Sequence, residues 1–292
     1  MNIQIITDSA SDIVHSDRKD LTVLPMTITF GETEFLDGVT LTHEEFFERL
    51  IESDALPTTS QISPFAFSQA IQKATQDGSC AVVITMSGKL SGTYQSACIA
   101  AEEFEGKAFV VDSENVTVGE RALIEYALRL KDEGRTPEEI VKELNLAKKR
   151  IQLIALLDTL EYLKKGGRIS KTAALAGSVL SIKPVIGIVD GEVAMLGKAR
   201  GSKQGNNLLA QHIQSAGGID FDMPFFLGYT GLSDTLLQKY IKDSEALWME
   251  HMGDLPSGNL PVATVGGTIG THVGPGGIAI AFFSPCPSQT KP

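Results

Sequence analysis

Residues 81–84, Ala-Val-Val-Ile, are apolar without interruption and lead straight into the polar, glycine-bearing stretch 85–96. So short a run with no polar face reads as a strand covered on both sides, as in a parallel sheet flanked by helices. The neighbouring segments fit that frame. Ile3, Ile5 and Ile6 form a β-branched strand ending in Thr7-Asp8-Ser9, and residues 108–111 form another closed by Asp112-Ser113. Residues 21–30 alternate loosely around Pro25, which predicts an irregular or edge strand. Thr42 with Glu45 is a capping box ahead of Phe46, Phe47, Leu50 and Ile51, so a helix is expected over 43–51. Further helices are expected over 65–76, through 101, and over 120–131 and 137–149, with a loop at 56–64.

The second half obeys a different rule. Asp190-Gly191 between the apolar runs 185–189 and 192–196 is a hairpin signal, and a purely parallel sheet contains no hairpin. A boundary near residue 150 follows. The expected fold class is α/β, with an N-terminal parallel-sheet, Rossmann-like domain over 1–150. A second α/β domain over 151–284 has a largely antiparallel or mixed sheet, and 285–292 is a frayed tail. Its strands are expected over 151–157, 225–229 and 278–283, and its helices over 159–165, 171–182, 204–215 and 233–242. Residues 253–277 read as a glycine-rich segment.

With 292 residues, 42% of them hydrophobic, the chain can bury its own core. Cys80, Cys98 and Cys286 cannot all pair within one chain and show no zinc spacing, so a reducing, cytoplasmic setting is expected. No signal peptide and no apolar run of roughly 20 residues is visible, so no stable membrane insertion is expected. A formal net charge of −11 disfavours nucleic acid, and the basic cluster Lys164, Lys165, Arg168 and Lys171 stands alone.

Four polar loops lie where α/β sheets place ligands: 7–9, 57–61, 87–94 and 112–113. Their hydroxyls and glycines could cradle an anionic oxygen or simply cap the next helix. Neither a GxxxxGK[ST] nor a GxGxxG spacing is present. His272 sits among Gly270, Gly274, Gly276 and Gly277, whereas His15, His43, His212 and His251 read as surface residues. There is no GxSxG elbow, yet a hydrolase or transferase using Ser91 and His272 stays open. No carboxylate cluster at metal-ligand spacing is present, so no metal is expected.

The segments Thr7-Asp8-Ser9, Thr59-Ser60-Gln61, Leu90-Ser91-Gly92-Thr93-Tyr94, Asp112-Ser113, the run Leu157 through Ile169, Lys183-Pro184 and Gly270-Thr271-His272 resemble, in order, those of the DegV family. That resemblance implies a two-domain protein that binds a long-chain fatty acid, with no other cofactor and no catalysis of its own. Related members serve an ATP-dependent fatty acid kinase as its fatty-acid-binding subunit. Carried onto this chain, it implies that Thr59, Ser91 and Gly92 hold the carboxylate. Arg168, Arg200 and His272 lie around that end, and the acyl tail runs into an apolar tunnel in the second domain. Two departures stand out: Ile62 replaces the usual proline, and Met86-Ser87-Gly88-Lys89 brings a lysine into the head-group loop. A regulatory lipid sensor is the remaining alternative, since sensing and delivery need the same cleft.

Overall fold

The computed structural model describes residues 2–14, 16–53, 55–169, 182–249 and 259–286. Strands β1 (Ile3–Asp8), β2 (Leu21–Leu24), β6 (Cys80–Thr85) and β7 (Ala108–Asp112) form a sheet of order β2-β1-β6-β7, parallel throughout. Every residue of β6 is buried, as its unbroken apolar run requires. Helices α2 (Pro64–Thr75) and α3 (Thr93–Ala101) cover one face, where Phe67, Ile71 and Ala97 meet Ile6, Ala81 and Val83. Helices α4 (Thr117–Asp132) and α5 (Pro137–Ala147) cover the other, where Leu123 and Leu144 meet Ile5, Val82 and Ile84.

The stretch 21–30 is two strands rather than one. Pro25 cannot donate to a ladder and keeps Leu24 extended. The chain leaves the parallel sheet there, and the Met26 N–H donates to Ser9 Oγ at 3.0 Å. Strand β3 (Thr27–Phe30) then pairs antiparallel with β4 (Thr33–Leu36) and with β5 (Thr58–Ser60), which lies inside the stretch expected to be a loop. Helix α1 (His43–Glu52) starts with the expected capping box.

A mixed sheet is built from β8 (Ile151–Leu156), β9 (Ile182–Val189), β10 (Glu192–Arg200), β11 (Phe226–Tyr229), β12 (Val262–Thr264) and β13 (Ile278–Phe283). Its order is β10-β9-β8-β13-β11-β12, and only β11 and β12 run parallel. At the hairpin tip Asp190 and Gly191 have φ of 49° and 82°, the left-handed pair of a type I′ turn. Helices α7 (Gly201–Ser215), α8 (Thr235–Asp243) and α9 (Glu245–Trp248) pack on one face through Leu209, Leu237 and Trp248. Helix α4 serves the opposite face, so Leu123 and Leu128 share one apolar cluster with Ile5 of β1, Ile151 of β8 and Phe283 of β13.

Two short helices complete the picture, α6 (Glu161–Lys165) and α10 (Gly267–Val273). The glycine-rich segment therefore carries both a strand, β12, and a helix. The helix expected over 171–182 lies outside the described residues up to 181, and Ile182 opens β9. Among the described residues no helix is long and apolar enough to cross a membrane.

Candidate functional site

In the parallel sheet the chain passes from β1 to β2 on one side and later returns, after β5 and α2, to place β6 on the other side of β1. Such a reversal opens a crevice beyond the carboxyl ends of the two strands. A cavity of about 880 Å³, measured out to its mouth, lies between that crevice and the mixed sheet. Its walls are apolar: Leu153, Ala155 and Leu157 of β8 and its end, Ile186 and Ile188 of β9, and Ala279 of β13. Polar groups gather where Thr59, Gln61, Ser91, Arg168 and His272 line it.

Two of the four polar loops contribute to this site and two do not. Asp8 is fully buried, with its carboxylate accepting from the N–H groups of Ala10 and Met86 at 3.0 and 2.9 Å. Burial raises it to about 7 despite those two donors. Asp112 accepts from the N–H of Gly88 at 3.2 Å and of Glu114 at 2.8 Å, and the Ser113 hydroxyl donates to Asn115 O. Asp8 of β1 and Asp112 of β7 thus both hold the loop that follows β6, Ser113 holds its own loop, and none of these side chains lines the cavity.

Thr59 is presented by β5, a strand that exists because β3 pairs with it, Ile28 opposite Thr59. Its Oγ1 lies 2.9 Å from His272 Nε2. The other ring nitrogen, Nδ1, is buried without a hydrogen bond, held against Gly166, where any Cβ would collide with it. An orphaned acceptor is tolerated better than an orphaned N–H, so the proton sits on Nε2 and donates to Thr59. Burial, aided by the Arg168 charge, holds His272 down at about 4, so the ring is neutral near pH 7. Arg168 itself is anchored by the carbonyls of Gly166 at 2.7 Å and Leu90 at 3.2 Å.

Ser91 Oγ lies 2.9 Å from Thr93 Oγ1. Gly92 caps the amino end of α3 and lies under Gln61, whose Oε1 a Cβ at that position would strike. Gln61 in turn donates to Ser96 Oγ at 3.0 Å. The loop is braced from the mixed sheet as well, since Ser87 Oγ donates to Gly191 O at the hairpin tip, 2.7 Å away.

Sequence and fold now point the same way, and the DegV family model matches residues 2–285. The chain belongs to the DegV family. The DegV domain-containing protein TTE1491 of Caldanaerobacter subterraneus subsp. tengcongensis is 33% identical over 283 residues, 96% of this chain and 98% of that relative. A DegV family protein from Thermus thermophilus, described by its fatty acid binding, superposes with a TM-score of 0.85. It is 30% identical, and the match covers 98% of this chain and 100% of that one. A stearic acid-binding protein from Eubacterium ventriosum superposes with a TM-score of 0.82 at 26% identity, over 97% and 98% of the two chains.

Of the residues that the DegV resemblance nominated, Thr59, Ser91, Arg168 and His272 line one cavity, with Gly92 beside them. Arg200 does not: it is exposed at the start of α7, and its N–H donates to Gln204 Oε1. Sequence reasoning missed Thr230 and Thr268 as polar lining, because nothing local separates them from other threonines. His43 is a further correction, because the expected surface histidine is half-buried with Nδ1 3.1 Å from Thr264 O. Lys171 of the basic cluster lies outside the described residues, while Lys164 and Lys165 are exposed at the carboxyl end of α6.

Proposed function

We propose that this protein binds a long-chain fatty acid, its carboxylate at Thr59, Ser91, Gly92 and Arg168 and its tail along the wall of the mixed sheet. The observation that carries the reading is a single cavity that joins the polar cluster of Thr59, Gln61, Ser91, Arg168 and His272 to aliphatic walls. A free fatty acid has that same division. Each buried methylene contributes about 0.8 kcal/mol, and the charged end is tolerated only where donors meet it. With Nε2–H donating to Thr59, the Thr59 hydroxyl proton is free to point at the ligand. Fatty acid binding by the Thermus and Eubacterium proteins supports the same reading.

Division of the chain into domains 1–150 and 151–284 belongs to this proposal, with the cavity between them. So does a non-catalytic role. The neutral histidine pairs with Thr59 and not with Ser91, and its second nitrogen has no carboxylate to orient it as a hydrolytic triad requires. Thr59, Ser91 and Gly92 are half-buried, and Gly88 and Lys89 beside them are exposed, so the head group can be offered to a separate ATP-dependent kinase. Exposed Lys164 and Lys165 suit an acidic or phosphate-bearing partner face, and Lys165→Glu is expected to weaken kinase association without changing fatty acid content. Unchanged association would move the docking face elsewhere.

Organic extraction of the purified protein followed by mass spectrometry tests the function directly. Finding no C14–C18 acid, together with no uptake by delipidated protein, refutes it. Ser91→Ala removes one hydrogen bond to a charged group and is expected to weaken binding by about 1.5–3 kcal/mol, leaving the protein folded. Titration of delipidated protein with palmitate measures this, and equal affinity would make Ser91 a helix cap only.

A further inference from the structure

Helix α10 carries His272 to the cavity, yet its sequence Gly-Thr-Ile-Gly-Thr-His-Val is a poor helix former. Seven residues with two glycines and four β-branched side chains do not hold a helix in isolation. Its N-cap, Gly266, offers no side chain to the first turn. Besides the helix's own bonds, that end is met by side chains from the first half of the chain. Phe46 packs against Gly267 and Gly270, at positions that leave no room for a Cβ.

The polar contacts are more specific. Asp37, buried just after β4, accepts from the N–H of Gly267 at 3.0 Å and of Thr268 at 3.2 Å. It also accepts from Thr268 Oγ1 at 2.6 Å and from Ser9 Oγ at 3.1 Å. Asp12 takes the preceding N–H, that of Gly266, at 2.7 Å, and also accepts from Thr117 Oγ1. Two buried carboxyl groups thus do across the fold, by accepting from the first N–H groups, what an N-cap does locally. One turn further along the same helix, His272 meets Thr59.

We propose that Asp37 is a positioning residue for the head-group end of the cavity, holding the first turn of α10, and through it His272, against Thr59. Asp12 is the neighbouring anchor. The site is then set by three separate parts of the chain: the loop at Asp37, the strand of Thr59 and the helix of His272. Asp37→Asn keeps the size of the side chain but turns an NH₂ toward groups that are themselves donors, so the first turn loses one of its acceptors.

The inference rests on the fatty acid reading only for its binding readout. Delipidated parent protein is titrated with palmitate and with hexadecanol, which share a tail and differ in head group, and the His272 ring is followed by NMR across pH. The parent is expected to prefer the acid and to show His272 titrating near 4. In Asp37→Asn the acid preference is expected to fall at least about ten-fold, hexadecanol binding to change little, and His272 to move toward about 6.5 as it becomes solvated. Ser9→Ala removes a single donor to Asp37 and is expected to move both readouts the same way by less, which keeps the test usable if Asp37→Asn folds poorly. Ile140→Ala, in the core of α5, is expected to lower stability while leaving the preference and the titration at parental values. A parent without acid preference overturns the carboxylate reading, and His272 alone then decides the positioning role. Asp37→Asn and Ser9→Ala with parental preference and His272 still near 4 overturn the positioning role itself.

Discussion

Ala279→Leu is expected to shorten the acyl chain that the protein accepts, with little loss of fold stability. Ile186, Ala155, Ala279 and Gly228 stand opposite one another on β9, β8, β13 and β11, and all four line the cavity. Along β8 the flanking residues on the same face, Leu153 and Leu157, are large. Ala155, Ala279 and Gly228 therefore leave a groove that crosses the strands at about 4.8 Å per step. A leucine at 279 would project into that empty space rather than into packed core, so it meets no overpacking penalty. It would displace the distal methylenes of a long tail. Four methylenes at about 0.8 kcal/mol each amount to about 3 kcal/mol, a loss on the order of a hundred-fold for a C16–C18 acid. Shorter acids that end before the groove should bind as they do to the parent. Competition among C10–C18 acids for delipidated protein measures this, and a length profile identical to the parent's would show that the tail takes another path.

The second large effect concerns pH. Glu120, in the first turn of α4, has no exposed surface. One oxygen accepts from Thr7 Oγ1 at 3.2 Å and the other makes no hydrogen bond. Burial first, and then the charge of Asp8, raise its carboxyl well above the ordinary range. A carboxyl raised in the folded state stabilises the fold below its unfolded value of about 4.3, and that contribution is lost as pH climbs toward the folded value. Glu120→Gln, which never ionises, should match the parent near pH 4.5. It should then gain on the parent by up to about 1.4 kcal/mol per pH unit as the solution becomes alkaline, until the folded value is reached. Asp8 and Asp12, raised mainly by burial to about 7 and about 8, act with the same sign and keep part of the slope in the variant. His272, held down at about 4, acts oppositely, removing stability as pH falls from about 6.5 toward 4. Urea denaturation of both proteins at several pH values checks this. Parallel stability curves would mean that Glu120 is ionised within the fold.

Several parts of this protein were legible residue by residue. The unbroken apolar run at 81–84 predicted a strand buried on both faces, the Asp190-Gly191 pair predicted the hairpin, and Thr42 with Glu45 predicted the start of α1. Each of these depends on a few consecutive residues, because backbone preference, turn geometry and capping are local. Thr59, Ser91, Arg168 and His272 could be nominated because their motifs keep family order along the chain.

Only the tertiary structure could decide which nominations meet. Three residues of β5 between prolines carry no strand signal, and they extend because β3 supplies the ladder. Helix α10 has no helical propensity to read; Asp12, Asp37 and Phe46, more than 200 residues earlier, make it. The polar loops at Thr7-Asp8-Ser9 and Asp112-Ser113 look in sequence like those that line the cavity, but Asp8 and Asp112 are taken up by N–H groups of the loop after β6 and Ser113 by Asn115. Arg200, which the DegV resemblance implied lies around the carboxylate end, faces solvent at the start of α7. Hydrogen-bond partners and desolvation are set by groups distant in the chain, and no window of neighbouring residues contains them.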